Sequence, residues 1–288
     1  MAKPEIDSVT GVETTGHEWD GIKELNKPLP KWWLWVLYVS IIWSIAYWIA
    51  MPAWPLVSDY TRGLLGYSQR TVLANSLADA RAAQLGLMDR IAATDLAGIK
   101  ADPELLQFAL AGGAAAFGDN CAPCHGRGAQ GAIGYPNLND DAWLWGGTLD
   151  DIHKTLNVGI RSGNPDMRDN AMPAFGRDQL LEPKQISDVA DYVLSLSGQD
   201  ADAEAVARGK TIFAEQCAAC HGEDGKGNME LGSPNLTDNI WLYGGTRDAI
   251  LDSIRNSRAG VMPAWTGRLP PETIKQLAVF VHSLGGGQ

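Results

Sequence analysis

The sequence predicts an all-α chain in which one N-terminal transmembrane helix is followed by two tandem copies of a small helical domain. Residues 32–51 form an uncharged run of 20 residues, enough for a helix to cross the roughly 30 Å hydrocarbon core of a bilayer. All four cysteines lie in two short stretches, Cys121-Ala122-Pro123-Cys124-His125 and, 96 residues on, Cys217-Ala218-Ala219-Cys220-His221. Around these stretches the same landmarks recur in the same order.

Gly113 and Phe117 stand to Cys121 as Gly209 and Phe213 stand to Cys217, so a short helix is expected before each motif. Downstream, Pro136-Asn137-Leu138 recurs as Pro234-Asn235-Leu236, and Trp143-Leu144-Trp145-Gly146-Gly147-Thr148 as Trp241-Leu242-Tyr243-Gly244-Gly245-Thr246. Ile160-Arg161 matches Ile254-Arg255, and Met172-Pro173-Ala174-Phe175 matches Met262-Pro263-Ala264-Trp265. Each copy closes on an amphipathic helix. Ile186, Val189, Ala190, Val193 and Leu196 share one face by helical spacing, as do Ile274, Leu277, Ala278, Val281 and Leu284.

Two cysteines separated by two residues and followed at once by histidine have the spacing for covalent attachment of a c-type haem. The two thiols become thioethers to the vinyl groups and the imidazole falls beneath the ring as an iron ligand. With every cysteine used in the two motifs, none remains to complete a cysteine-rich zinc site, and no thioredoxin-like strand-helix pattern surrounds them. Cys121, Cys124, Cys217 and Cys220 are therefore expected to bind two haem c groups, with His125 and His221 on iron.

Each copy resembles the class I cytochrome c fold, a few helices wrapped round one haem. The resemblance implies a methionine as the other axial ligand, and the matching residues are Met172 and Met262. Met167 and Met229 have no counterpart in the other copy and are poorer candidates. The resemblance also implies that the carbonyls of Pro136 and Pro234 orient His125 and His221, and it offers Arg161 and Arg255 as partners of the haem propionates.

The chain divides, in order, into a polar N-terminal segment (1–31), the transmembrane helix (32–53), a helical connector (54–103), cytochrome domain 1 (104–198) and cytochrome domain 2 (199–288). The first segment shows almost no hydrophobic periodicity and is expected to lie on the membrane surface or on a partner. Trp32, Trp33 and Trp35 mark one membrane interface and Trp48 and Trp54 the other. The apolar run is too long and starts too late for a cleaved signal peptide. Lys23, Lys27 and Lys31 precede the span and only Arg62 and Arg70 follow it at a comparable distance, a balance that favours a cytoplasmic N-terminus. In the connector, Leu73, Leu77, Ala80, Gln84, Leu87 and Ile91 recur at intervals of three and four, a largely apolar stripe that requires a cover. Asp102-Pro103-Glu104 is expected to cap the next helix, and the polar stretch 197–202 reads as a short linker between the domains.

Residues 104–198 carry six basic and twelve acidic residues, and residues 199–288 eight and eleven. This acidity either favours basic protein partners such as soluble cytochromes or simply keeps the domains soluble. The chain has no basic patch for nucleic acid.

Val9-Thr10-Gly11-Val12-Glu13-Thr14-Thr15-Gly16-His17-Glu18-Trp19-Asp20-Gly21-Ile22-Lys23-Glu24-Leu25-Asn26, followed by Pro28-Leu29-Pro30-Lys31-Trp32-Trp33 at the membrane, makes a sharper resemblance. Together with the tandem haem motifs, it is similar to the di-haem subunit of the cbb3-type haem-copper cytochrome c oxidases, the CcoP or FixP family. That resemblance implies an electron-transfer subunit without a catalytic residue of its own. It would accept electrons from a periplasmic or membrane-bound cytochrome c and pass them through a mono-haem c subunit to the catalytic haem-copper subunit that reduces oxygen. The haem domains would be periplasmic, on a single-pass anchor in the bacterial inner membrane. A membrane-anchored di-haem cytochrome of another respiratory complex, or a di-haem peroxidase, are the alternatives.

Overall fold

The computed structural model describes residues 4–286, which divide into two compact units at Ala82/Ala83. In the first unit the polar N-terminal segment is not featureless. Strands β1 (Thr14–Trp19) and β2 (Ile22–Leu25) form an antiparallel hairpin, pairing Glu18 with Lys23 and Trp19 with Ile22. Asp20 and Gly21 make the turn, both at positive φ (51° and 86°), the conformation that an Asp-Gly pair adopts in a two-residue hairpin loop. Apart from this small sheet the described chain is helical, in keeping with the expected fold class.

Helix α1 (Lys31–Ala50) follows Pro30, whose fixed φ suits a helix entrance. None of its residues is buried, and its two hydroxyls are satisfied within the helix, Ser40 on the Val36 carbonyl and Ser44 on the Ser40 carbonyl. An apolar helix of this length with no protein around it fits a bilayer, where every polar group must be satisfied internally. The chain then folds back, and the amides of Leu64 and Leu65 take up the last carbonyls, those of Ile49 and Ala50, at 2.9 and 3.0 Å. Lysine in place of Ile42, at the middle of this span, is expected to cost about 3 kcal/mol of insertion. The readout is a rise in the fraction of chain extracted from membranes at alkaline pH.

The connector forms one long helix, α2 (Gln69–Ala93), which runs through the division between the units, and a short one, α3 (Leu96–Ala101). The expected stripe is covered only at its end: Ile91 is fully buried and Leu87 half-buried, whereas Leu73 and Leu77 are exposed. Lys275 closes the α2 terminus by donating to the carbonyls of Ile91, Ala92 and Thr94 at 2.7–3.1 Å.

The second unit contains α4 (Pro103–Asn120), α5 (Ala122–His125), α6 (Leu149–Val158), α7 (Pro183–Leu196), α8 (Ala203–Gln216), α9 (Ala218–His221), α10 (Arg247–Asn256) and α11 (Pro271–His282). Asp102 caps α4 as expected, accepting from the amides of Glu104 and Leu105. Thr148 and Thr246 cap α6 and α10 in the same way.

The helices do not pair in sequence order. The first helix of copy one, α4, packs on the last helix of copy two, α11, which also covers α6; the first helix of copy two, α8, packs on α7, the last helix of copy one, which also covers α10. Glycines set both crossings. A Cβ on Gly113 would fall 2.4 Å from the Gln276 carbonyl oxygen, and one on Gly209 would fall 2.0 Å from that of Asp188. Next to them the aligned rings meet, Phe117 with Phe280 at 5.5 Å and Phe213 with Tyr192 at 5.2 Å.

The result is nested. An inner module, roughly 171–259, runs without interruption through α7, α8, α9 and α10 and has its own core of Ile186, Val189, Val193, Phe213, Ile250 and Ile254. An outer module takes α4, α5 and α6 from before it and α11 from after it, around Leu105, Phe117, Ile152, Leu156, Ile274 and Leu277. Residues 197–202 thus join two helices that pack on each other.

Candidate haem sites

In both modules the first cysteine ends a helix, because Cys121 and Cys217 are the C-caps of α4 and α8, and a one-turn helix then carries the second cysteine and the histidine. Gly126 and Gly222 follow at positive φ and turn the chain. The turn brings the Pro136 carbonyl to 3.0 Å from His125 Nδ1 and the Pro234 carbonyl to 3.2 Å from His221 Nδ1. A carbonyl can only accept, so Nδ1 carries the proton and Nε2 keeps its lone pair for iron. Burial pushes both imidazoles below their ordinary value, against the opposing effect of the carbonyl contact, which keeps them neutral ligands. The Cys121 and Cys217 thiols are pushed up to about 11 by burial and, secondarily, by the neighbouring cysteine. A redox dithiol motif needs the opposite shift.

The exchange of helices decides which methionine reaches which histidine. Met172 lines one cavity with Cys217, Cys220 and His221, among the apolar side chains of Val193, Phe213, Leu236 and Ile250. Met262 packs on the outer core that contains Cys121. Each histidine is therefore placed with the methionine of the other sequence copy. Of the poorer candidates, the Met167 sulfur accepts the Gly163 amide at 3.2 Å, and Met229 is exposed.

The residues fit a haem. The inner cavity is lined by thioether-forming cysteines, an imidazole, a thioether sulfur and aliphatic and aromatic carbon. Among the described residues, Arg168 Nε is a buried donor with no partner, which a propionate carboxylate would satisfy. Arg168 lies over the Trp145 ring at 5.4 Å and pairs with Asp151 at 3.2 Å. Arg258 stands in the same relation to Tyr243, at 5.2 Å, and lines the inner cavity. Each arginine lies four residues before a methionine of the repeat, a spacing visible in the sequence but not used in reading it.

Arg161 and Arg255, the expected propionate partners, are not equivalent in space. Leu156 and Ile254 are, since their carbonyls accept the amides of Trp265 and Phe175 at 2.9 and 3.1 Å. Arg255 thus belongs to the last turn of α10, whereas Arg161 lies beyond the end of α6. Arg161 lines the inner cavity, but its guanidinium holds backbone carbonyls.

Fold and sites together define a membrane-anchored c-type cytochrome with two haem sites. The N-terminal domain of cytochrome oxidase-cbb3, FixP, matches residues 11–58, the cbb3-type cytochrome c oxidase subunit III family matches 204–281, and the general cytochrome c family matches 110–197. The chain is 56% identical to a cbb3-type cytochrome c oxidase subunit FixP from Bradyrhizobium sp. (strain ORS 278), over 99% of this chain and 98% of that one. It is 54% identical to the CcoP subunit of Azospirillum brasilense over the whole of both, and 52% identical to that of Cereibacter sphaeroides over 96% and 95%. The chain belongs to the FixP/CcoP family of cbb3-type cytochrome c oxidase subunits, and it carries two covalently bound c-type haems.

Proposed function

We propose that the chain is the electron-relay subunit of a cbb3-type oxidase, accepting electrons from a periplasmic or membrane-bound cytochrome c and passing them through a mono-haem c subunit toward the catalytic haem-copper subunit. The observation that carries this reading is the joining of the two candidate haem sites in one compact unit. The segment before one methionine loop pairs with the other methionine loop, Ile160 and Met262 exchanging both amide-to-carbonyl bonds at 2.9 and 3.0 Å.

In this reading His125 and Met262 ligate the haem iron of the outer module, and His221 and Met172 that of the inner one. Haem c supplies reversible one-electron exchange. The protein supplies fixed ligands: Pro136 and Pro234 hold the imidazole tautomer, and Ser257 Oγ holds the Met172 carbonyl at 2.6 Å. Rigid ligands on both sides keep reorganisation small, and a methionine sulfur raises the potential. A peroxidase would need one iron with a displaceable ligand, whereas in this reading a methionine ligates each iron. Lys23, Lys27 and Lys31 before α1 support a cytoplasmic N-terminus, with the haem modules in the periplasm.

Gentle solubilisation and affinity capture of the chain tests the assembly. Haem b, copper and cyanide-sensitive oxygen uptake from a reduced cytochrome c are expected to come down with it. Recovery of haem c alone would assign the chain to a different complex.

A further inference from the structure

We infer that Arg161 is a positioning residue for both iron sites at once, a clamp that ties the two methionine loops to each other. Its Nε donates to the Gly260 carbonyl at 2.7 Å and its Nη1 to the Asn170 carbonyl at 2.5 Å. Gly260 lies two residues before Met262 and Asn170 two residues before Met172. One planar guanidinium therefore holds the same point of the loops that carry both methionines, a task that suits the rigid fork of arginine and not the single ammonium of lysine.

The backbone is arranged to deliver it there. Arg161 has φ +49°, a left-handed conformation that a side chain with a Cβ rarely adopts. The strained position is held by neighbours: the Arg161 amide donates to the Arg168 carbonyl at 2.9 Å, and Ile160 beside it is doubly bonded to Met262. The side chain also lines the inner haem cavity, so its charge lies against one site while its hydrogen bonds reach the loops of both. The pseudo-symmetry of the modules does not demand it. Counting from the aligned capping threonines, the position equivalent to Arg161 is Ala259, so one residue of copy one does what copy two does not repeat.

The consequence is that the two irons are not independently tuned. Disturbing Arg161 loosens both methionine loops, so a single substitution in copy one alters the ligand field of both haems.

The inference rests on the crossed pairing proposed above, and the experiment separates the two. The holocomplex in detergent, carrying Arg161→Gln, Arg161→Lys or Ser257→Ala, is compared with wild type by low-spin EPR, near-infrared methionine-to-iron bands and redox titration. Met172→Ala and Met262→Ala assign the bands. Arg161→Gln is expected to shift both EPR signals and both potentials, and Arg161→Lys, which keeps the charge but not the fork, to do the same. Ser257→Ala, which frees only the Met172 loop, is expected to shift the inner haem alone. A change confined to one haem in both Arg161 variants, or full rescue by lysine, overturns the clamp while leaving the ligand pairing intact. Bands that survive both methionine substitutions overturn the pairing itself. If Arg161→Gln does not accumulate with haem, Arg161→Lys carries the same test.

Discussion

Met262→Ala is expected to strip the methionine-to-iron band from the haem joined to Cys121 and Cys124, which is the haem of the copy that does not contain Met262. Met172→Ala should act on the haem joined to Cys217 and Cys220. The reason is the nesting, which places Met172 in the cavity of His221 and Met262 on the core around Cys121. Fragments make the effect larger. Residues 171–259, exported with the haem-attachment machinery, contain every helix of the inner module together with Met172 and His221, and should give a low-spin haem with a methionine band. Residues 199–288, a complete sequence copy, contain His221 but not Met172 or α7. That fragment lacks the packing partner of α8, and its haem should lack the band. A normal His/Met spectrum from 199–288, together with a band-less haem from 171–259, would show that ligation follows the sequence copies and would end the crossed assignment.

The local chemistry of the sites could be read directly from the chain because covalent haem attachment uses contiguous residues. Cys121 to His125 and Cys217 to His221 need no knowledge of the fold, whereas Pro136 and Pro234, 11 and 13 residues beyond their histidines, were reached only through the resemblance to a known fold. The membrane span was legible for a similar reason, since length and lack of charge are one-dimensional properties. What periodicity could not convey was partner choice. Ile186 to Leu196 and Ile274 to Leu284 show the same apolar face, and either helix would suit α4 or α8 by that criterion. The hairpin was legible in principle through Asp20-Gly21 between Trp19 and Ile22, but its strands are short and largely exposed, so they show little alternation. The match of Ile160-Arg161 to Ile254-Arg255 misled because helices α6 and α10 align from their capping threonines, which puts Leu156 opposite Ile254.

The partner choice is written in charges instead, and Arg247→Ala should expose it. On α7, Asp191 is 9% exposed and accepts from Arg247 Nε and Nη2 at 2.7 and 2.8 Å; Asp188, 7% exposed, takes both Nε and Nη2 of Arg208 at 2.9 Å. The aligned residues of α11 are Val279 and Gln276, and the residues of copy one aligned with Arg247 and Arg208 are Leu149 and Gly112. Leu149 packs on the core that contains Val279, and a Cβ on Gly112 would meet the Gln276 side chain at 2.6 Å. Each module is thus consistent within itself, one ionic and the other neutral. Packing α7 on α4 and α6 would leave Asp188 and Asp191 buried beside Gly112 and Leu149 without a cation, which is far costlier than losing a contact. Arg247→Ala creates part of that penalty in place. Because the arginine is 43% exposed, solvent relieves some of it, and the loss is expected to be about 1–2 kcal/mol. It should appear as a lower urea midpoint for the inner-module methionine band, with the outer band shifted less. Acid should reveal the same asymmetry. Hydrogen bonds from Arg208 first, and from Lys184 after the opposing effect of burial, hold the Asp188 carboxyl below its ordinary value. A depressed folded value means that the stabilisation is complete above the unfolded value near 4 and is lost as the pH falls through the folded one. The inner band is therefore expected to fail before the outer one below about pH 4, where Gln276 and Val279 have nothing to protonate. Loss of the outer band first, or equal urea shifts of the two bands in Arg247→Ala, would show that these ion pairs do not govern which helix covers which haem.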